Sequence, residues 1–578
     1  MSSLCEHLTE IFETSFKALG LPIKNSKVSV SKQGQDTQFQ CNGAMASAKV
    51  ARKSPSDVAE DIINQVQKDT SDKDIFKDIS IGGPGFINIT LNDSFIEKHI
   101  KEISNDKKHG IEETGEGQNI VLDYGGPNIA KAMHVGHLRS SIIGDTLRRI
   151  NKYAGYNAIG DVHMGDWGTP MGMILSELEL MGFDGEITMD LLAEIYPKAS
   201  AACKEDEDRM ALAREATRKL QEGEPTYTQT WKRFIDVSIE GIKKNFDALG
   251  VHFDEWKGES DAHPYIADMI DDLKQRDLAI ESDGALVIPV SKKDDKKEIP
   301  PLLLLKSDGA VLYSTTDMAT IIDRIKTHNP SKIIYVVDQR QHLHFEQVFR
   351  AVRMANISPE DKIDLIFAGF GTMNGTDGKP FKTRAGGVMR LDDLISMAEE
   401  KATLRLDEAA LAKDMDETER KDVAHKVAIA ALKFADLRND RVTDYIFDID
   451  RMTSFEGKTG PYLLYQAVRI QSLLRKAGIE DQIEIDSFKI DDIDRSLALL
   501  LSEFPDHFNN ALNQNSPHIL CDYAYRLAQE FSSFYGNCHI LSEPSEEIKT
   551  SRLALCQQSH KQLCIILELL GIEIPKRM

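Results

Sequence analysis

His134 and His137, three residues apart with Gly136 between them and Asn128 and Lys131 a few positions upstream, are the side chains in this sequence best placed to do chemistry. Imidazoles at that spacing lie on neighbouring positions of one helical turn, so both can donate to one group of oxygens. The apolar run Ile120 to Tyr124 precedes them, and Leu138, Ile142, Ile143, Leu147 and Ile150 follow at helical spacing. A strand, a polar loop and a helix start in that order predict backbone amides and a helix dipole that favour anionic oxygens. Gly136 adds no side chain that would keep a flat base from the backbone. The chemistry implied is phosphate binding. His-x-Gly-His alone occurs often by chance; its place after a strand is what gives it weight.

The elements around this turn must hold it in place. Gly155 stops the helix, and Asn157 to Val162 read as a second strand leading into His163-Met-Gly-Asp-Trp-Gly-Thr169. Strand, helix and strand at this spacing predict a right-handed βαβ unit in a parallel sheet. From about 175 to 300 the pattern turns to charged helices, with the acid-rich Cys203 to Arg209 and a hairpin-like Ser291-Lys-Lys-Asp-Asp-Lys-Lys297. That stretch reads as a long insertion. Apolar runs at Leu302 to Leu305, Ile333 to Val337 and Ile363 to Phe367 are then expected to complete a doubly wound sheet. Residues 371 to 390 form a Gly-rich, basic loop that calls for a ligand to fix its shape.

Two modules flank this core. In residues 1 to 110, Leu4, Leu8, Ile11, Phe12 and Phe16 fall at helical spacing, and Phe86, Ile87, Ile89 and Leu91 form a strand after the turn Gly82-Gly-Pro-Gly85. An α+β domain is predicted there, with Lys49, Arg52 and Lys53 gathered on a helix. After about 455 the pattern is helical throughout: Pro461 starts a helix, Gly478 ends it, and Leu464, Ala467, Val468 and Leu474 line one face. The last helix, with Leu553, Cys556, Leu563, Leu567 and Leu570, stops at Gly571. The predicted organisation is 1–110, a Rossmann-type α/β domain at 111–375 with the insertion at about 175–300, a signature-loop and connecting helical region at 376–454, and a helix bundle at 455–578.

Single cores stop growing near roughly 250 to 300 residues, so 578 residues imply three or four domains. Lys and Arg total 70 against 93 Asp and Glu, a net charge of -23, which argues against a coat protein held to nucleic acid by bulk positive charge. Any nucleic acid must bind a local basic face. The seven cysteines show no Cys-x-x-Cys pair, which argues against a zinc knuckle or a secreted disulfide framework. No stretch approaches 18 apolar residues and the first residues carry acids, so a cytoplasmic, soluble protein is expected.

The string Pro127-Asn-Ile-Ala-Lys-Ala-Met-His-Val-Gly-His-Leu-Arg-Ser140 resembles the signature of class I aminoacyl-tRNA synthetases, and in particular that of the arginyl-tRNA synthetase family. The likeness continues through Gly165-Asp-Trp-Gly168, Tyr313-Ser-Thr-Thr-Asp317, Val336-Val-Asp-Gln-Arg-Gln-His-Leu-His-Phe345, Phe381-Lys-Thr-Arg-Ala-Gly386 and Gly457-Lys-Thr-Gly-Pro-Tyr462. These motifs run in order along most of the chain. The resemblance implies ATP and arginine as substrates, an arginyl-adenylate intermediate, Mg²⁺ held mainly by phosphates, cognate tRNA as partner and a monomer.

It also implies roles. His134 and His137 become the donors to ATP, with Gly136 against the nucleotide. Where class I enzymes carry Lys-Met-Ser-Lys-Ser, this chain has Lys-Pro-Phe-Lys-Thr-Arg; Lys382 and Arg384 are both candidates for the second cation, and Lys131 could add charge at the phosphates. Asp123 and Asp317 become acidic partners of a guanidinium, Tyr313 an aromatic wall, Asn128 a contact to the amino acid's backbone groups and Gln341 a further polar contact. On spacing alone, Asp317 could equally cap a helix beginning near Met318. Phe86 and Asn88 fall where the family contacts the tRNA D-loop, although the strand pattern would also allow Phe86 as core. Tyr462, Tyr465, Arg469 and Lys576-Arg-Met578 are the candidates in the anticodon-binding bundle. Two rivals remain: a small-molecule nucleotidyltransferase, which would need neither flanking domain, and a catalytically silent paralogue, against which the intact histidines count.

Overall fold

The computed structural model describes residues 3–31, 37–71, 73–307, 309–359, 362–375, 377–379, 381, 389–479, 483 and 488–578. Two compact units divide them, Met1–Glu113 with Tyr462–Glu568 and Ile574–Met578, and Thr114–Pro461 with Leu569–Glu573. No helix among the described residues is long and apolar enough to cross a membrane.

In the first unit, β1 (Val28–Val30), β2 (Phe39–Cys41), β3 (Phe76–Gly82) and β4 (Phe86–Leu91) form an antiparallel sheet in the order β1-β2-β4-β3. The turn between β3 and β4 needs glycine: Gly83 and Gly85 have φ of 51° and 116°, and a Cβ on Gly85 would meet the Pro55 carbonyl oxygen at 2.8 Å. Strand β4 alternates, with Ile87, Ile89 and Leu91 buried and Phe86 and Asn88 half-buried on its other face. The helix Leu4–Ala18 starts in a Ser3/Glu6 capping box and buries Leu4, Leu8, Phe12 and Phe16. The helix Gly43–Ala51 ends before two of the three predicted basic residues, because Arg52 turns left-handed and Lys53 pairs with Asp61 at 2.6 Å. Helices Arg495–Ser502, Phe504–Gln514, His518–Asn537 and Glu546–Leu569 pack beside the helix Gly460–Lys476 as the predicted bundle, with Leu464, Ala467, Val468 and Leu474 buried.

In the second unit, β5 (Asn119–Asp123) leads through the helix Gly136–Tyr153 to β6 (Asn157–Asp161), paired parallel. Helices Thr169–Leu180, Met189–Glu205, Glu207–Gln221 and Pro225–Ala248 follow. Next comes a separate antiparallel sheet of β7 (Ile280–Ser282), β8 (Ala285–Ile288) and β9 (Leu302–Leu305). The expectation that Leu302 to Leu305 joins the doubly wound sheet is therefore wrong. Its four leucines alternate buried and exposed or partly exposed, the pattern of a half-covered antiparallel strand rather than of a strand buried on both faces. The parallel sheet is completed by β10 (Lys332–Tyr335) and β11 (Asp364–Phe367), in the order β11-β10-β5-β6. The chain runs one way from β5 to β6 and the other from β10 to β11, so a topological switch point lies between β5 and β10, where such sheets bind ligands. Val121, Ile333 and Tyr335 of this sheet pack with Met318, Phe345 and Val348 as core. The short strands β12 (Met373–Asn374) and β13 (Tyr445–Ile446) pair parallel beyond it.

Candidate active site

A cavity of about 450 Å³ opens at the switch point, lined by the chain just after β5, the turn 134–137, the end of β10 and residues 370–373 with Phe381. Ser140 ties the two strand ends together: its hydroxyl donates to the Val336 carbonyl at 2.7 Å and accepts the Gly125 N–H at 2.9 Å. Asp123, His134, Gly136, His137 and Gln341 line the cavity.

The signature turn differs from expectation in one respect. The helix begins at Gly136, so His134 precedes it, and the amides of the turn are occupied. Gly136 N–H donates to His134 Nδ1 and His134 N–H to His137 Nδ1, both at 3.1 Å, while Val135 N–H donates to the Met389 carbonyl at 3.0 Å. Burial, then the nearby Lys131, lowers the His134 pKa; burial, then His134, pushes His137 down to about 3. Both rings are therefore neutral at pH 7, and with Nδ1 accepting, each proton sits on Nε2. The donors available to a phosphate are the two imidazole Nε2–H groups rather than the backbone. A Cβ on Gly136 would meet the His134 ring at 2.7 Å, so this glycine is needed for the ring as well as for any base.

Two acids at the cavity are already paired. Asp123 Oδ2 takes Arg324 Nη2 at 2.7 Å, and the same nitrogen reaches Asp161 Oδ2 at 2.6 Å, with Arg324 only 1% exposed. Burial pushes the Asp123 carboxyl up and Arg324 opposes it. Asp338 holds Arg340 through Nε at 2.8 Å and Nη2 at 2.5 Å.

The remaining predicted residues stand apart from the cavity lining. Asn128 bridges Gly165, and Lys131 Nζ lies 4.4 Å over the Tyr196 ring. Tyr313 opens the helix Tyr313–His328 and is 68% exposed. Asp317 lies inside that helix, four residues past its first residue, so it is not a cap; its Oδ2 sits 2.5 Å from His344 Nε2. Beside it, Glu259 has its carboxyl pushed up to about 8 by burial and by Asp166 and Asp317. Lys382 and Arg384 lie outside the described residues. In the first unit, Tyr462 meets the Tyr525 ring at 5.8 Å and Arg469 lies 4.8 Å over Tyr535; Tyr465 is exposed, and Met578 is half-buried. Asn88 Oδ1 accepts from Gln40 Nε2 at 2.9 Å.

Sequence reasoning missed Arg139, Arg324, His344 and Glu259. Arg139 and Arg324 did leave a signal, as arginines on otherwise apolar helix faces, beside Leu138 and Ile142 and beside Ile321. His344 and Glu259 left none, because each gains its meaning from acids distant in sequence.

The parallel sheet and the paired histidines at its switch point lie within residues 99–449, which match the family described as tRNA synthetases class I (R), catalytic domain, so the chain is a class I aminoacyl-tRNA synthetase by family. Residues 6–91 match the arginyl tRNA synthetase N terminal domain and 463–578 the DALR anticodon binding domain. The chain belongs to the arginyl-tRNA synthetase family. It is 45% identical to an arginine--tRNA ligase of Hyphomonas neptunium and 44% identical to one of Alkaliphilus oremlandii, each over 100% of both chains. The crystal structure of arginyl-tRNA synthetase from Plasmodium falciparum superposes with a TM-score of 0.86 at 27% identity, covering 100% of each chain.

Proposed function

We infer that this chain ligates L-arginine to its cognate tRNA. The arginine carboxylate attacks the α-phosphorus of ATP and expels pyrophosphate, giving arginyl-adenylate; a hydroxyl of the tRNA's terminal ribose then attacks the acyl carbon and expels AMP. Neither step needs a nucleophile from the protein, so catalysis rests on positioning and on donors aimed at charge developing on phosphate. The observation that carries this reading is the pair of neutral imidazoles at the switch point, in a chain alike over its full length to arginine--tRNA ligases.

His134 and His137 donate from Nε2 to the phosphate oxygens, Gly136 faces the nucleotide, and Lys131 with Lys382 or Arg384 supplies positive charge. Asp123, Asn128, Tyr313, Asp317 and Gln341 hold arginine; a carboxylate accepts the planar guanidinium fork in a way lysine cannot satisfy. Mg²⁺ enters with ATP as part of that substrate, which suits a cavity where Asp123 and Asp338 are each paired with an arginine. Residues 1–110 meet the tRNA D-loop through Phe86 and Asn88, residues 111–375 carry the catalytic site, 376–454 hold the signature loop, and 455–578 meet the anticodon through Tyr462, Arg469 and Met578. The enzyme works as a cytoplasmic monomer. Amino-acid-dependent pyrophosphate exchange, run across the twenty amino acids with and without total tRNA, tests this reading: exchange with arginine supports it, and none under any condition leaves the silent paralogue.

A further inference from the structure

The signature loop leaves and rejoins the described chain at two places, and both are tied to the turn of His134 and His137. At its far end the tie is direct: Leu391 N–H donates to the Met133 carbonyl and Val135 N–H to the Met389 carbonyl, each at 3.0 Å. At its near end the tie runs through Arg139, two residues past His137. This arginine is 2% exposed, with Nε 3.0 Å from Asp436 Oδ2, Nη1 donating to the Thr443 carbonyl at 3.1 Å and Nη2 to the Arg441 carbonyl at 3.3 Å. Its guanidinium lies 5.1 Å from the Tyr445 ring centre and 5.8 Å from that of Phe370.

The segment held by Arg139 in turn holds the loop's root. Gly371 N–H donates to the Arg441 carbonyl at 2.9 Å, Thr372 N–H to Asp444 Oδ1 at 2.6 Å, and β12 pairs with β13. Phe381, on the loop itself, donates its N–H to the Met373 carbonyl at 3.0 Å and packs its ring 4.8 Å from that of Phe447. A single buried fork thus ties the signature helix to residues 441–443, and that segment, through Gly371, Thr372 and the β12–β13 pairing, holds the strand that leads into the loop. Lysine could keep the charge of Arg139 but could not reach two carbonyls and a carboxylate in one plane.

We propose that Arg139, held by Asp436, is a positioning residue for adenylate formation, which registers the strand leading into the signature loop against the turn carrying His134 and His137. The inference rests on the reading of this cavity as the ATP site. It predicts that the linkage is felt by ATP and not by tRNA.

Two variants and their combination test it in the full chain. Arg139→Lys is expected to lower kcat/KM for ATP at least tenfold while KM for tRNA stays within twofold. Asp444→Ala removes an exposed carboxylate at the far end of the same linkage, where folding is not at stake, and is expected to lower kcat/KM for ATP about threefold. Asp444→Ala combined with Arg139→Lys should be little worse than Arg139→Lys alone, because both act through one strand. Independent, multiplying losses, or equal losses for ATP and tRNA, would overturn the proposal, as would an Asp444→Ala enzyme of normal kcat/KM. A wild-type protein with no arginine-dependent activity would instead remove the reading of the site.

Discussion

The rings of His134 and His137 lie with their centroids 4.0 Å apart, and each has its Nδ1 on a backbone N–H of the turn that carries them. The turn engages two of its own amides with imidazole acceptors and so turns two Nε2–H donors to whatever enters the cavity. Neutral donors suit this work, and burial lowers the pKa of both rings from the ordinary imidazole value.

Either His134→Ala or His137→Ala should lower kcat by about 10²- to 10³-fold, the effect of deleting one donor to developing charge. Far-ultraviolet circular dichroism should stay native for both, because the core of the helix Gly136–Tyr153 is built from Leu138, Ile142 and Leu147. The pH profile of the wild type should show no loss near pH 6.5 from His137, whose pKa lies at about 3. An inflection there that vanishes in His137→Ala would contradict a ring that burial keeps neutral at this pH.

Arg324 stands between two carboxylates, Asp123 and Asp161, in the floor beneath the cavity. Arg324→Met leaves two buried acids facing each other without a cation, and breaking a buried pair in this way costs about 3 to 5 kcal/mol. Urea unfolding should show that loss, and Asp161→Asn combined with Arg324→Met should recover part of it. No recovery in the double variant would mean that packing, not charge, is what Arg324 provides.

The parallel sheet and the helix bundle could be read from the sequence because each is written in local periodicity: Ile120 to Leu122 as a short apolar run, Leu464 to Leu474 as one helical face. The leucines of β9 could not, since a four-residue apolar run fits a parallel or an antiparallel strand equally and only its partners decide. The site shows the same division. His134, Gly136 and His137 are adjacent in sequence and were found together. Asp317 meets His344, and Asp123 meets Arg324, across stretches of chain whose closure depends on the whole fold.

His109 is buried with Gln558 Nε2 2.9 Å from its Nδ1, and burial lowers its pKa to about 4. The unfolded chain takes up that proton near pH 6.5 and the folded chain does not, so stability falls as pH drops from about 6.5 towards 4. His109→Gln should remove this contribution, and the difference in Tm between pH 7 and pH 5 should shrink. A larger difference would reverse the sign of the argument.

Asp317 and Glu259 share one acidic neighbourhood, and their predicted effects part on pH. Asp317→Asn should raise KM for arginine roughly 10- to 150-fold, the range set by about 1.5 to 3 kcal/mol for a hydrogen bond to a charged group. Tm should change little, because the residue does not cap its helix and asparagine keeps a side-chain oxygen for His344. Glu259, with its carboxyl at about 8, is protonated at neutral pH in the free enzyme. A guanidinium favours the ionised form, so binding arginine must expel that proton, and binding strengthens as pH rises towards 8. KM for arginine should therefore fall between pH 6.5 and 8.5 in the wild type and stay flat in Glu259→Gln, with KM for ATP unmoved in both. A wild-type KM for arginine that does not change over that range would place Glu259 outside the substrate's reach.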